Sequence, residues 1–122
     1  MNHLKLIVIT RPQFFEGETA LVNAMFGQGL KRLHLRKPQA TEEELAEWIG
    51  QIDEPFRQNI VLHDHHALSR TMRLGGIHLN SRNPEAPEWV SEEKQERGFT
   101  VSRSCHSISE IKQHRDCCDY LF

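Results

Sequence analysis

Residues 59–79 read NIVLHDHHALSRTMRLGGIHL, and this stretch decides the fold class. The apolar run 60–62 predicts a buried strand, and residues 67–74 predict a short helix that the Gly75-Gly76 pair closes. Residues 77–79 predict the next strand. A strand, a helix and a second strand in close succession are typical of a βαβ unit with parallel strands. The stretch therefore predicts a layered α/β fold.

The same alternation extends in both directions along the chain. Further strands are predicted at residues 4–9, 32–36, 99–102 and 118–122. Helices are predicted at 18–28, after a capping box at 41–44, at 87–96, and from Ser107 to about 114. This pattern predicts a (β/α)8 TIM barrel that is incomplete in this chain, with about the first five to six βα units. An open doubly wound sheet has the same periodicity and stays an alternative.

Composition excludes several classes of protein. The chain has 122 residues and a formal net charge of −2, so we expect one domain and no nucleic-acid partner. The longest apolar run, residues 6–9, is too short to cross a bilayer, and the N-terminus lacks a secretory pattern. A cytoplasmic location is expected. The odd count of 3 cysteines favours reduced thiols, and we expect Cys117 and Cys118 to pack as small apolar side chains in the last strand.

The last predicted strand bears on domain organisation. Residues 118–122 would leave an apolar strand as an open edge, which native proteins avoid. A closed eight-stranded barrel typically needs about 200 residues or more. We therefore expect residues 1–122 to form a single domain that is the N-terminal part of a larger barrel, truncated at strand six.

Polar residues collect just after the predicted strands, where the mouth of a barrel would lie. Several of these segments together resemble the strand motifs of the thiamine phosphate synthase / TenI family, in the family's order. The segments are LHLRKP at 33–38, LHDH at 62–65, GGIHL at 75–79, SRSCHS at 102–107 followed by Glu110, and Asp119-Tyr120.

The resemblance implies action on a thiazole phosphate in thiamine biosynthesis. One branch of the family, the synthase, joins a pyrimidine diphosphate to the thiazole phosphate with the help of Mg²⁺. The other branch, the TenI-like tautomerase, moves a proton on the thiazole and needs no cofactor. We expect the tautomerase slightly ahead of the synthase. A non-catalytic binder or regulator, and an unrelated phosphate-sugar barrel enzyme, stay alternatives; a homo-oligomer is an open question.

The resemblance also implies a set of substrate-binding residues. Arg36 matches the family arginine, and a guanidinium at a strand end offers a rigid fork to phosphate or carboxylate oxygens. The family lysine falls on Pro38, so the neighbouring Lys37 is the candidate amine. Three further residues match positions near the substrate: His34, His63 and Ser104.

The acid–base and metal residues distinguish the two branches. His106 matches the proposed acid–base of the tautomerase, and imidazole suits a proton shift near neutral pH. Asp64 matches the first Mg²⁺ carboxylate of the synthase, but the second falls on Asn83, which removes a charge that Mg²⁺ favours. The run of residues 63–66, His-Asp-His-His, is not expected to bind a transition metal, because neighbours on a strand point to opposite faces. Ser107 is expected to cap a helix.

Overall fold

A computed structural model describes residues 6–122, so Leu4 and Lys5 of the predicted first strand lie outside the described residues. Its strands form one six-stranded sheet in sequential order, and every neighbouring pair is parallel. The strands are β1 (Ile7–Ile9), β2 (Arg32–Leu35), β3 (Ile60–Leu62), β4 (Gly76–Leu79), β5 (Thr100–Arg103) and β6 (Tyr120–Leu121). A doubly wound sheet would reverse its strand order at a switch point. The sequential order confirms the predicted incomplete barrel.

A helix follows each of the first five strands. The helices are α1 (Glu18–Gly27), α2 (Glu42–Gly50), α3 (Ala67–Thr71), α4 (Val90–Glu96) and α5 (Ile108–His114), with a 3₁₀ helix at Glu54–Asn59 that the sequence pattern did not predict. The capping box that opens α2 is confirmed, since Thr41 and Glu44 exchange side-chain-to-backbone hydrogen bonds. Ser107 caps α5 as predicted.

The last strand is shorter than predicted. It begins at Tyr120, because the preceding Asp119 turns its carboxylate back to accept a hydrogen bond from the Val101 backbone N–H at 2.7 Å. Cys117 and Cys118 consequently lie in the turn before β6, where Cys117 is exposed and Cys118 is half-buried. The predicted position in a strand was wrong for both cysteines; the predicted apolar packing was wrong for Cys117, whereas Cys118 packs against the cluster around α4.

The two faces of the sheet differ in chemistry. On the outer face, aliphatic strand residues pack against the helices in two clusters, one around α1 and α2 and one around α4. Alternate residues of the same strands point to the concave inner face and are largely polar. In most barrels this interior is filled with branched aliphatic side chains. The inner face is therefore the place to look for a functional site.

Two glycines allow the strands to approach closely at β4. A Cβ atom on Gly75 would collide with the backbone carbonyl of Gln58, and one on Gly76 would collide with Thr100 on β5. The Gly-Gly pair that predicted the end of α3 thus also sets the spacing of three neighbouring strands.

The two ends of the sheet enclose an apolar cleft. Within residues 6–122, β1 pairs only with β2, and β6 pairs only with β5. A cleft of about 1040 Å³ lies at these two strands, and Leu6, Val8, Met25 and Phe122 are among the residues that line it. No helix in the described part of the chain is long and apolar enough to cross a membrane.

Candidate active site at the concave face

Three buried histidines meet on the concave face. His34 lies in β2 and His78 in β4, while His63 directly follows β3; their exposed fractions are 0%, 0% and 4%. Parallel pairing in register brings the three rings together although they are far apart in sequence. We call these residues, with the hydroxyl groups of Ser102, Ser104 and Tyr120 that bond to them, the histidine cluster.

Short hydrogen bonds connect the cluster. His34 Nδ1 lies 2.8 Å from His63 Nε2, and His34 Nε2 lies 2.6 Å from the hydroxyl of Tyr120 on β6. Both nitrogens of His78 lie 2.7 Å from serine hydroxyls, Ser102 Oγ at Nδ1 and Ser104 Oγ at Nε2. The cluster thus extends from β2 to β6 and holds these imidazoles in fixed orientations.

The cluster histidines are held neutral. Burial, and then the charge of His78, lower the pKa of His34 to about 3. Burial first, and then the neighbouring histidines and arginines, lower the pKa of His63 to about 2, and burial lowers that of His78 to about 4. A neutral imidazole donates at one nitrogen and accepts at the other. His34 can therefore donate to His63 and accept from Tyr120, or the reverse, without a net charge.

Arg36 supplies positive charge at the same end of the sheet. It follows β2 directly, is half-buried, and its guanidinium has no hydrogen-bond or ion-pair partner within residues 6–122. Its charge is among the smaller causes that lower the pKa of His63, after burial and the neighbouring histidines. A half-buried guanidinium without a protein partner is suited to bind an oxyanion.

The structure places the predicted Lys37 in the interior instead of at the substrate. Its amine donates to the carbonyls of Arg11 and Gln13 at 2.8 and 2.7 Å and to Glu18 Oε2 at 2.7 Å. These bonds use all three donors of the ammonium group. This geometry favours a structural role, in which Lys37 fixes the segment between β1 and α1.

The two predicted metal residues do come together, but in a different role. Both oxygens of Asp64 accept from the guanidinium of Arg82, each at 3.1 Å, and Asn83 Nδ2 donates to Asp64 Oδ1 at 2.9 Å. Mg²⁺ requires free, preferably anionic oxygens in an octahedral arrangement. Here the only carboxylate of the pair already has a cationic partner, and the Asn83 amide presents a donor to it. The donor set does not fit Mg²⁺.

The proposed acid–base, His106, lies outside the histidine cluster. It follows β5 at the same end of the sheet, and its side chain is exposed. Its backbone N–H donates to Glu110 Oε2 at 2.7 Å, which ties the loop to the start of α5. Ser104, two residues earlier, reaches His78 in the cluster. His106 thus lies at the rim, beyond the end of β5, while Ser102 and Ser104 of the same segment bond to His78.

The histidine run at 63–66 lies after the end of β3, so the alternation expected for a strand does not apply to it. His66 Nε2 bonds to the carbonyls of His63 and His78, and the exposed His65 bonds to the carbonyl of Ala40. A different set, His34, His63 and His78, brings ligand nitrogens within 4.8 Å of one another. The rings of His63 and His78 are stacked, however, with centroids 4.1 Å apart. A lone pair of imidazole lies in the plane of its ring, so the lone pairs of two stacked rings lie in nearly parallel planes. This arrangement favours hydrogen bonding over metal binding.

Comparison with solved structures bears on the family. The fold is similar to that of thiamine phosphate pyrophosphorylase from Bacteroides thetaiotaomicron, with a TM-score of 0.84 and 39% sequence identity, over 98% of this chain and 57% of that one. The predicted resemblance to the thiamine phosphate synthase / TenI family is thereby confirmed. Thiamine phosphate pyrophosphorylase from Pyrococcus furiosus matches with a TM-score of 0.66 at 16% identity, over 94% of this chain and 56% of that one, and supports the fold alone.

The chain spans less than two thirds of the length of these thiamine phosphate synthase structures. No family model matches the chain, and no curated protein does. In barrels of this kind, loops after the last two strands often supply the phosphate site. The histidine cluster is formed by residues on or next to β2 to β6 of this fold.

His78 and Tyr120 belong to the histidine cluster, but the sequence did not predict either of them at the site. His78 was read only as part of a strand motif, and Tyr120 only as the start of a strand. The signal that could have found them is the two-residue period: His78, Ser102, Ser104 and Tyr120 are the polar alternates of otherwise apolar strands. Arg82 gave no signal, since its position depends on the shape of a loop.

Proposed function

We propose that this chain provides the ring-binding part of a thiamine-pathway active site that takes a thiazole phosphate, with tautomerase-like chemistry favoured. The observation that carries the proposal is the histidine cluster: neutral imidazoles and hydroxyls on the concave face, with Arg36, whose guanidinium has no partner within residues 6–122, two residues after His34. Such groups suit a polar heterocycle with an anionic substituent.

The neutral state of the cluster sets what it can do. Histidines with pKa values of about 3 and 2 are uncharged at neutral pH and keep a single N–H, so His34 and His63 serve as hydrogen-bond partners that hold a ring in one orientation. The proton that shifts on the thiazole then needs a group at the rim, and His106 is that group in this proposal. Water access at the exposed His106 allows its proton to be exchanged with solvent.

The direct test uses the thiazole phosphate carboxylate as substrate in deuterated water. We expect the complete protein to incorporate deuterium on the ring as it isomerises, without added metal. Replacing His106 with Asn should remove turnover while leaving substrate binding within about threefold, since the orienting groups are intact. Undiminished turnover in His106→Asn would count against the role of His106.

The synthase is the second candidate, and the 39% identity to a thiamine phosphate pyrophosphorylase favours it. The test is incubation with the pyrimidine diphosphate and the thiazole phosphate, with and without Mg²⁺. Pyrophosphate release that requires Mg²⁺ would rank the synthase first. Tight thiazole phosphate binding without turnover in either assay, and equally tight binding by His106→Asn, would instead support the non-catalytic binder.

A further inference from the structure

The loop after β4 is fixed around the carboxylate of Asp64. Asn80 Oδ1 accepts hydrogen bonds from the backbone N–H groups of Arg82 and Asn83 at 3.0 and 2.9 Å, and the backbones of Asn80 and Asn83 bond to each other. Asn83 Nδ2 also donates to the carbonyl of His63 at 3.1 Å. Both side chains that contact Asp64 thus start from a loop with a defined shape.

Arg82 forms a bidentate ion pair with the carboxylate of Asp64. Nε donates to Oδ1 and Nη2 donates to Oδ2, each at 3.1 Å, and the Asp64 side chain is only 11% exposed. A divalent cation would have to displace this bidentate guanidinium and turn the Asn83 amide around. Bidentate arginine–carboxylate pairs are among the stronger polar contacts in proteins.

The net charge around Asp64 also disfavours a divalent cation. Asp64 contributes −1 and Arg82 contributes +1, and Asn83 stands where the family resemblance implies a second carboxylate. A divalent cation would therefore enter a site with no net negative charge. The guanidinium of Arg82, already bonded to both oxygens of Asp64, would stand directly against that cation.

The pair with Asp64 leaves some N–H groups of the Arg82 guanidinium unused. A guanidinium carries five N–H groups, and the pair with Asp64 uses two of them. The others have no partner within residues 6–122, and the Arg82 side chain is 41% exposed. The fork is thus anchored on one side by Asp64 and open to solvent on the other.

We infer that Arg82 occupies the place of a divalent cation in this chain. The positive charge that would meet an oxyanion of the substrate is supplied by a tethered guanidinium, with Arg36 as the second fork, and Asp64 holds that guanidinium instead of a metal. This inference deepens the proposed function and rests on it for the identity of the substrate, but its two measurable consequences do not depend on turnover.

The first consequence concerns metal binding, probed with Mn²⁺ alone by the loss of its free electron paramagnetic resonance signal. The wild-type protein should show no stoichiometric site. The double variant Arg82→Ser/Asn83→Asp, which restores two free carboxylates, should bind one Mn²⁺ at least tenfold more tightly, and added Mg²⁺ should displace it. The double variant Gln113→Glu/Arg115→Ser, which lowers the net charge by the same two units at exposed positions at the end of α5, is the charge-matched control and should behave as the wild type.

The second consequence concerns oxyanions, probed with inorganic pyrophosphate by calorimetry in the presence of a metal chelator. The wild-type protein should bind it, Arg82→Ser at least tenfold more weakly, and Arg82→Lys in between, because an ammonium lacks the fork. A thermal melt of each variant verifies folding, and Arg82→Lys decides the case if Arg82→Ser does not fold.

Stoichiometric Mn²⁺ binding by the wild type, or pyrophosphate binding that Arg82→Lys and Arg82→Ser leave unchanged, would overturn the inference. Either result would leave the thiazole phosphate proposal standing. Conversely, failure to bind thiazole phosphate, with the Mn²⁺ and pyrophosphate results as expected, would remove the proposed function alone.

Discussion

The buried amine of Lys37 is an ion-pair partner whose loss should be costly. Its carboxylate partner Glu18 also accepts from the Trp48 indole at 3.0 Å, so both charges sit inside a hydrogen-bonded group that joins α1, α2 and the end of β2. Removing one member of a buried pair leaves the other charge unpaired, which typically costs about 3–5 kcal/mol. We expect Lys37→Met to lower the free energy of unfolding by about that amount in urea denaturation.

The matched control is Lys31→Met, at an exposed position, which should change the free energy of unfolding by less than about 0.5 kcal/mol. The double variant Glu18→Leu/Lys37→Met should recover much of the loss, because it leaves no unpaired charge. A Lys37→Met protein as stable as the wild type would show that the amine is not the buried group described here.

The histidine cluster predicts a pH dependence of stability. The folded-state pKa of His34 is about 3, well below its ordinary value of 6.5, so the unfolded chain binds more protons between these values. Stability from this group is complete above pH 6.5 and falls as pH falls. The contribution of His34 lost between pH 7 and pH 5 is about 2 kcal/mol, and His63 and His78 add to it.

His34→Gln should therefore reduce the fall in unfolding free energy between pH 7 and pH 5 by about 2 kcal/mol, measured by urea denaturation at both pH values. Glutamine keeps a donor and an acceptor for His63 and Tyr120 but does not titrate. His106→Gln, at an exposed position, controls for the substitution itself. Equal wild-type stability at pH 7 and pH 5 would contradict a cluster of neutral histidines.

At the scale of elements, the β4 glycines fix how closely strands approach. Gly76→Ala would place a Cβ against both the side chain and the carbonyl of Thr100, and a backbone neighbour cannot rotate away. We expect a loss of about 1–3 kcal/mol in unfolding free energy, as for other overpacked positions. Gly98→Ala is the control, since a Cβ there meets nothing within 4 Å. Equal effects of the two substitutions would show that β4 has room that the structure does not indicate.

The sequence predicted helices and strands better than it predicted contacts between distant side chains. Helix α2 was predictable because Thr41 and Glu44 satisfy backbone groups locally, and β3 because its residues are all apolar. The role of Lys37 was not, since its partners are 19 to 26 residues away, and nothing local distinguishes a buried lysine from an exposed one. His34 and Ser104 were predicted at the site from the family resemblance, whereas the contact between Arg82 and Asp64 depends on loop shape.

For the whole molecule, the open edges of β1 and β6 decide its behaviour in solution. Both strands have backbone groups that no strand within residues 6–122 pairs with, and an apolar cleft lies at them. Leu6, which lines the cleft, is 63% exposed. Unpaired edges beside apolar surface promote association, and barrels avoid it by closing. The open edges beside this apolar cleft predict that the 122-residue chain self-associates in solution.

Sedimentation velocity over a range of concentrations measures this association. We expect the weight-average mass to rise with concentration for the 122-residue chain, and Leu6→Lys to shift the distribution toward the monomer, since a charge in the cleft opposes burial of that edge. The control is Ile108→Lys on α5, because Ile108 is equally apolar and 72% exposed but does not line the cleft. A wild-type chain that stays monomeric at all concentrations, with a cooperative melt, would show that the open edges are tolerated and would contradict this prediction.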